Sequence, residues 1–273
     1  MNSSMILIRL LVIGYLVFVG GNGLWAQPAK EFQPQVGQEG KDVIWVPTPQ
    51  ALVDKMLDMG KVTPKDYVID LGSGDGRTVI TAAKRGAKAL GIEYNPDMVE
   101  LSKRNAAKEG VSDKASFVKA DLFESDFSQA TVITMFLLPD INIRLRPKIL
   151  NLKPGTRIVS NSFTMGDWAA DETVTVKDNC VSYCTAHLWI VPAKVEGTWQ
   201  MAQGELALKQ NYQMVSGTLK SSNGTAPIAN GKLNGERIVF IAGGVEYTGR
   251  VSGNSIEGTV KSGGSWKATR TGK

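Results

Sequence analysis

Between residues 43 and 163 short apolar runs alternate with longer amphipathic stretches. Residues 48–59 carry Leu52, Val53, Met56 and Leu57 at helical spacing behind a Pro47-Thr48-Pro49 entry, which predicts a helix. Residues 67–71 read as a short apolar strand, followed by a glycine-rich turn and a helical stretch over 78–84. The pattern then repeats, with a strand over 87–93 and a helix over 96–109 that keeps Met98, Val99, Leu101 and Ala106 on one side. Further strands are expected at 116–120, 131–137 and 156–163, with helical stretches between them. Strands alternating with helices of about ten residues imply a mostly parallel sheet covered on both faces. The first large unit, residues 43–194, is therefore expected to be a doubly wound α/β domain.

The texture changes at Val195. Residues 195–273 hold 14 glycines and many short alternating segments, with almost no helical period. Asn230-Gly231, Asn234-Gly235 and Ser252-Gly253-Asn254 are hairpin turn chemistry. Seven or eight strands in a meander predict a small all-β barrel or sandwich. Its opening Gly197-Thr198-Trp199 is similar to the first strand of lipocalin-like barrels. Such a module binds a ligand or partner, or simply caps the sheet edge.

Residues 1–26 contain no acid, one Arg9, an apolar run over 10–19 and a glycine-rich stretch leading to Ala26. That order is expected of a secretory signal peptide, with an uncleaved membrane anchor as the alternative. It predicts export to the periplasm or beyond, or a membrane-anchored protein touching the membrane through its leader. Residues 27–42 read as a linker.

Composition narrows the chemistry. The chain has one histidine, His187, and two cysteines, so no histidine-based or cysteine-rich metal centre is expected. The formal charge is +5, but residues 27–194 are balanced at 21 basic and 21 acidic side chains. The excess falls on residues 195–273, with 9 basic and 5 acidic. A neutral main domain argues against a nucleic-acid partner engaged through a broad phosphate-binding face. If residues 178–191 form one strand, Cys180 and Cys184 lie about 13 Å apart, beyond disulfide reach. A turn there would permit a bridge, and the reading favours two half-buried thiols.

The sharpest local signal is the run Val68-Ile69-Asp70-Leu71-Gly72-Ser73-Gly74-Asp75-Gly76-Arg77. A strand enters a turn with three glycines and leaves as a helix, so the backbone can approach a ligand closely. Dinucleotide-binding folds carry a related turn, but an acidic Asp70 would face a pyrophosphate there. Beside the sulfonium and ammonium of S-adenosylmethionine a carboxylate is favourable. Glu93 ends the second strand, where it could accept bonds from both ribose hydroxyls or be an exposed strand-end acid. Asp121 ends the third strand and suits an adenine amino group, with Leu122 as apolar cover; the alternative is a helix N-cap.

In this order and spacing, the three elements resemble class I S-adenosylmethionine-dependent methyltransferases, which have a Rossmann-like fold. The runs 70–77, Gly91-Ile92-Glu93-Tyr94-Asn95-Pro96 and Asp121-Leu122-Phe123 are similar to small bacterial methyltransferases and to the mitochondrial protein-lysine methyltransferases related to them. The resemblance implies S-adenosylmethionine as cofactor, with Asp70, Gly72, Ser73 and Gly74 at the methionine end. Glu93 would hold the ribose and Asp121 the adenine. Val46-Pro47-Thr48-Pro49 resembles the segment that folds over the cofactor, with Thr48 contacting its carboxylate.

The loop after the fourth strand reads Phe136-Leu137-Leu138-Pro139-Asp140-Ile141-Asn142. Lacking an Asn-Pro-Pro-Tyr or Asp-Pro-Pro-Tyr motif, it argues against transfer to an adenine or glutamine amide nitrogen. Lacking a cysteine, it argues against the covalent route to cytosine C5. Asp140 and Asn142 are candidates to orient or deprotonate an acceptor amine, or else a helix cap and a surface residue. Methyl transfer to a nitrogen or oxygen nucleophile, a protein lysine or a small molecule, is thus expected. The competing reading is an exported, non-catalytic binding protein whose β module engages a ligand or envelope partner. Export sits awkwardly with a methyl donor made in the cytoplasm.

Overall fold

Val68 and Ile69 are neighbours on one strand, yet both are buried, because the sheet they belong to is covered on both faces. The computed structural model describes residues 31–272, so the leader read in residues 1–26 lies outside the described residues. No helix among the described residues is long and apolar enough to cross a membrane.

The first part runs α1 (Gln50–Met59), β1 (Tyr67–Leu71), α2 (Arg77–Lys84), β2 (Lys88–Glu93), α3 (Pro96–Lys108), β3 (Ala115–Lys119), β4 (Val132–Met135), α4 (Pro139–Ile149), β5 (Arg157–Asn161), β6 (Glu172–Thr175) and β7 (Thr185–Ile190). The sheet order is β3-β2-β1-β4-β5-β7-β6. Strands β1 to β5 are parallel, while β7 runs antiparallel to both β5 and β6. Val53, Leu57, Val79, Val99 and Phe117 pack on one face around Val68. Ile133, Met135, Ile141, Leu145 and Trp189 pack on the other around Ile69 and Leu71. Strand β4 stops earlier than its apolar run suggests, because Leu137 and Leu138 turn out of the ladder ahead of Pro139, the first residue of α4.

Cys180 and Cys184 do not share a strand. They form a disulfide with their Cα atoms 5.8 Å apart, which corrects the expectation of two free thiols. Asn179 and Tyr183 adopt φ of 55° and 54°, so the segment curls and β7 starts only at Thr185.

The second part is an eight-stranded meander: β8 (Gly197–Met201), β9 (Gly204–Asn211), β10 (Met214–Ser221), β11 (Gly224–Asn234), β12 (Arg237–Ala242), β13 (Val245–Ser252), β14 (Ser255–Val260) and β15 (Ser265–Gly272). Pairing of β15 with β8 closes it into a barrel. Alternate side chains fill its interior, among them Trp199, Leu206, Leu233, Ile238, Phe240 and Ile256, all fully buried. Gln213, in the β9–β10 turn, ties the barrel to the sheet: its Oε1 accepts from Trp168 Nε1 at 2.9 Å and its Nε2 donates to the Ala169 carbonyl at 2.8 Å.

Candidate active site

Strand order turns about at β1, with β2 on one side and β4 on the other, and such a switch leaves a crevice at the carboxyl ends of the strands. A cavity of about 580 Å³ opens there, in the size range of small-molecule and cofactor sites. Its walls are the glycine turn, the ends of β2 and β4, the loop after β3 and residues 38–48. Those last residues include Gln38 to Asp42, read from sequence as linker, which instead lie against the cavity as a strap. Trp45 holds the strap in register, exchanging backbone bonds with Gly37 and Gln38 at 2.9 Å each.

Gly74 has φ 54°, and a Cβ there would stand 2.7 Å from the Trp45 indole nitrogen, so only glycine lets strap and turn meet. Ser102 Oγ donates to the Gly74 carbonyl at 2.9 Å and Asn105 Nδ2 to the Asp75 carbonyl at 3.0 Å, pinning the turn to α3. Arg77 pairs with Asp75 at 2.6 Å and donates to the Thr48 carbonyl at 2.8 Å, joining turn and strap. Thr48 itself is buried on the cavity wall, its Oγ1 accepting from Asn161 Nδ2 at 3.2 Å. Gly72 and Ser73 line the floor, where the buried Ser73 Oγ has no hydrogen-bond partner. That hydroxyl is turned under β2, where a Cβ on Gly91 would stand 2.5 Å from it, so the turn offers the cavity backbone at this position.

Of the acidic residues lining this space, Asp70, Glu93 and Asp121 are the three expected from the sequence. Asp70 is buried, and the β1–β4 register sets it opposite Thr134, whose hydroxyl donates to it at 2.6 Å. Burial pushes its pKa up to about 7; the Thr134 bond opposes that, while Glu93 and Asp75 add to it. Such a carboxylate gains most from a cation placed beside it. Glu93 is held by two backbone N–H groups, Gly74 to Oε2 and Asn95 to Oε1, each at 2.9 Å. Each oxygen keeps a lone pair for a further donor, which suits a pair of vicinal hydroxyls. Asp121 lies two residues beyond β3 and does two things. Its Oδ1 caps its own turn by accepting the Phe123 N–H at 2.9 Å, and its Oδ2 takes the Lys41 ammonium. Those bonds, Lys41 first, hold its carboxyl below the usual range, and the same contact raises the Lys41 pKa. Lys41 also sits 4.9 Å above the Tyr94 ring, and Leu122 lines the wall beside Asp121.

The two residues expected to handle the acceptor are placed elsewhere. Asp140 is exposed in the first turn of α4 and does not line the cavity. Asn142 is fully buried, not on the surface, and its Nδ2 donates to the Phe163 and Thr164 carbonyls at 3.2 Å each. The reason is local: Pro139 starts the helix at once, so Ile141 meets the cavity while position 142 meets the loop after β5. Trp168 is core, Arg146 is bound to Asp167, and His187 contacts Thr173 Oγ1 at 3.0 Å. Sequence reasoning missed Lys41, Trp45 and three rings of the β4 side, Phe136, Phe163 and Tyr183. Charge and periodicity give no sign of them, because they come together only through loops.

Comparison with known proteins agrees with this geometry. Residues 70–172 match the family model described as ANTKMT methyltransferase domain. A protein-lysine N-methyltransferase of Saccharolobus islandicus is 45% identical over 152 residues, which is 55% of this chain and 94% of that protein. The adenine nucleotide translocase lysine N-methyltransferase of Mus musculus is 34% identical over 118 residues, 42% of this chain and 51% of that protein. This chain thus spans about half the length of the mouse relative, at 51%. Among solved structures, an RNA methyltransferase of Salinibacter ruber in complex with S-adenosyl-L-homocysteine is 45% identical with a TM-score of 0.52, covering 55% of this chain and 96% of that one.

Proposed function

Because the chain belongs to the class I S-adenosylmethionine-dependent methyltransferases related to the protein-lysine methyltransferases, we propose that it methylates the ε-amine of a lysine in a protein. The observation that carries this reading is the relation to the Saccharolobus lysine methyltransferase along nearly that protein's whole length. S-adenosylmethionine, when bound, supplies a methyl group already activated on a sulfonium, so the protein must chiefly orient and desolvate. The cavity fits that cofactor: a buried carboxylate for its cationic end and a braced Glu93 for hydroxyls.

In this reading Asp70 holds the sulfonium and ammonium end, and Gly72, Ser73 and Gly74 approach it with backbone. Glu93 accepts the ribose hydroxyls, and Thr48 meets the amino-acid carboxylate from the strap. Asp121 accepts the adenine amino group once Lys41 releases its Oδ2, with Leu122 packing on the base. The strap excludes water, which strengthens each of these interactions.

An RNA acceptor, suggested by the name of the Salinibacter relative, fits less well, since residues 27–194 balance 21 basic with 21 acidic side chains. The test is to incubate the full chain with methyl-labelled S-adenosylmethionine, a protein extract and total RNA. Label recovered as methyl-lysine after protein hydrolysis supports the proposal; label confined to RNA overturns it.

A further inference from the structure

Across β1 from Glu93, the cavity is walled by rings. Phe136 follows β4, Phe163 lies two residues past β5, and Tyr183 two residues ahead of β7; all three line the cavity. Their centroids stand 5.1 Å (Phe136–Tyr183), 6.0 Å (Phe136–Phe163) and 6.2 Å (Phe163–Tyr183) apart. None of the three is a core residue, and Tyr183 is 42% exposed. Contiguous rings left open to a cavity offer apolar surface and negative ring faces to whatever enters.

Two of the rings are presented by strained backbone. Tyr183 has φ 54°, and Ser162, next to Phe163, has φ 59°. A left-handed conformation is costly for a bulky residue and persists where the surroundings impose it. Around Tyr183 those surroundings are the Cys180–Cys184 disulfide and the Val176 N–H to Cys184 carbonyl bond of 2.9 Å. These are the only two cysteines of the chain, and they close a loop of five residues around this one ring.

We propose that Phe136, Phe163 and Tyr183 form the wall that receives the acceptor side chain, and that the disulfide holds Tyr183 in that wall. The proposal rests on the lysine reading above. A lysine brings a four-carbon stem, which packs against the rings, and an ammonium, which ring faces attract in its free and methylated forms alike. Desolvation opposes that attraction and moves the amine toward the neutral, nucleophilic form, its proton passing to the solvent that reaches the wall at the half-exposed Tyr183. A dithiol reductant gives two electrons and two protons to the S–S bond, leaving two thiols and its own sulfurs joined in a ring. Tyr183 then loses its tether, while Asp70, Glu93 and the glycine turn keep theirs.

The test uses the full chain saturated with S-adenosylhomocysteine, titrated with Nα-acetyl-Nε-trimethyllysine amide. Tyr183→Ala is expected to weaken the probe about tenfold, and Tyr183→Phe less than about twofold, since the ring face and not the hydroxyl makes the contact. The Cys180→Ser/Cys184→Ser double variant and the reduced wild type are expected to weaken it about three- to tenfold. S-adenosylhomocysteine affinity stays within about twofold throughout, which also reports that each variant is folded. Probe affinity unchanged in Tyr183→Ala overturns the wall, and unchanged in the double variant overturns the tether. A wild type that binds S-adenosylhomocysteine but neither binds the probe nor methylates protein lysine overturns the lysine reading itself. Lysine methylation retained with Tyr183→Ala unaffected overturns only the wall.

Discussion

The sheet and the barrel handle burial in opposite ways. Among the described residues, every buried polar or charged side chain but Gln213 lies in the sheet part, and Gln213 is the one that fastens the two together. The barrel interior is filled by rings and aliphatics with Met201: Phe240 stacks on Tyr247 at 4.9 Å and meets Trp266 edge-on at 5.7 Å. Glycine differs in the same sense. Gly74 opens a turn onto a cavity, whereas a Cβ at Gly217 would stand 1.9 Å from the Ala207 carbonyl oxygen, so that glycine only lets β10 press against β9. Glycine richness marks close backbone approach, and at Gly72 and Gly74 that closeness also borders a cavity with a buried carboxylate, Asp70.

The largest test of this contrast is Phe240→Ala, expected to cost about 3–5 kcal/mol of stability in a filled interior. Denaturant unfolding would register the loss, while cofactor affinity of the folded fraction stays within about twofold. A parallel loss of affinity would mean that the two parts are not separable in function.

Asp70 gives the next largest effect. Its folded pKa of about 7 lies above its unfolded value of 3.8, so between those pH values the folded chain keeps a proton that the unfolded chain has lost. Stability from this group is therefore full below about pH 4 and falls by about 1.4 kcal/mol per unit until roughly pH 7. Carboxylates with lowered pKa, such as Asp66, slope the other way, so the informative quantity is wild type minus Asp70→Asn. That difference should fall from about pH 4 to pH 7 and level off above it, without cofactor. S-adenosylmethionine, a cation, should bind wild type more tightly as pH rises through 7, and the variant with no such trend. A flat wild-type profile from calorimetry would detach Asp70 from the cationic end.

Glu93→Ala comes third, weakening cofactor binding by about 1.5–3 kcal/mol through two lost charge-assisted bonds. Titration calorimetry that finds unchanged affinity would remove Glu93 from the site. Gln213→Ala leaves the buried Trp168 Nε1 and the Ala169 carbonyl without partners, a loss of about 1–3 kcal/mol visible in thermal unfolding. The smallest expected effect is that of Asp140→Ala. Exposed and off the cavity wall, it should leave turnover within about twofold, and a large drop in kcat would reinstate it as an acceptor residue.

Much of the sheet was legible because its strands are continuous apolar runs bounded by turns: the expected 67–71 is β1 to the residue. That Asp70, Gly72, Gly74 and Glu93 come together was legible too, since they sit at fixed offsets from strand ends and line one cavity. Asp140 and Asn142 failed because loop spacing does not say which way a helix starting at Pro139 turns its side chains. The cysteines failed for a related reason, since the left-handed residues that curl their segment, Asn179 and Tyr183, break no pattern of hydrophobicity. Lys41 comes from the polar stretch ahead of Val43, which reads as a tether, and Trp45 from an apolar run too short to show a period.

That strap has a consequence for how the protein can change. The stretch shared with the family model, residues 70–172, supplies the floor of the cavity, but Lys41, Trp45, Thr48 and Tyr183 wall it from outside that stretch. Strap and floor are nonetheless one mechanical unit, because Trp45 lies against Gly74 and the Arg77 guanidinium holds the Thr48 carbonyl. A bulkier residue at Gly74 would lift the strap as surely as it would distort the turn, so the wall over the cofactor cannot be altered without the floor feeling it.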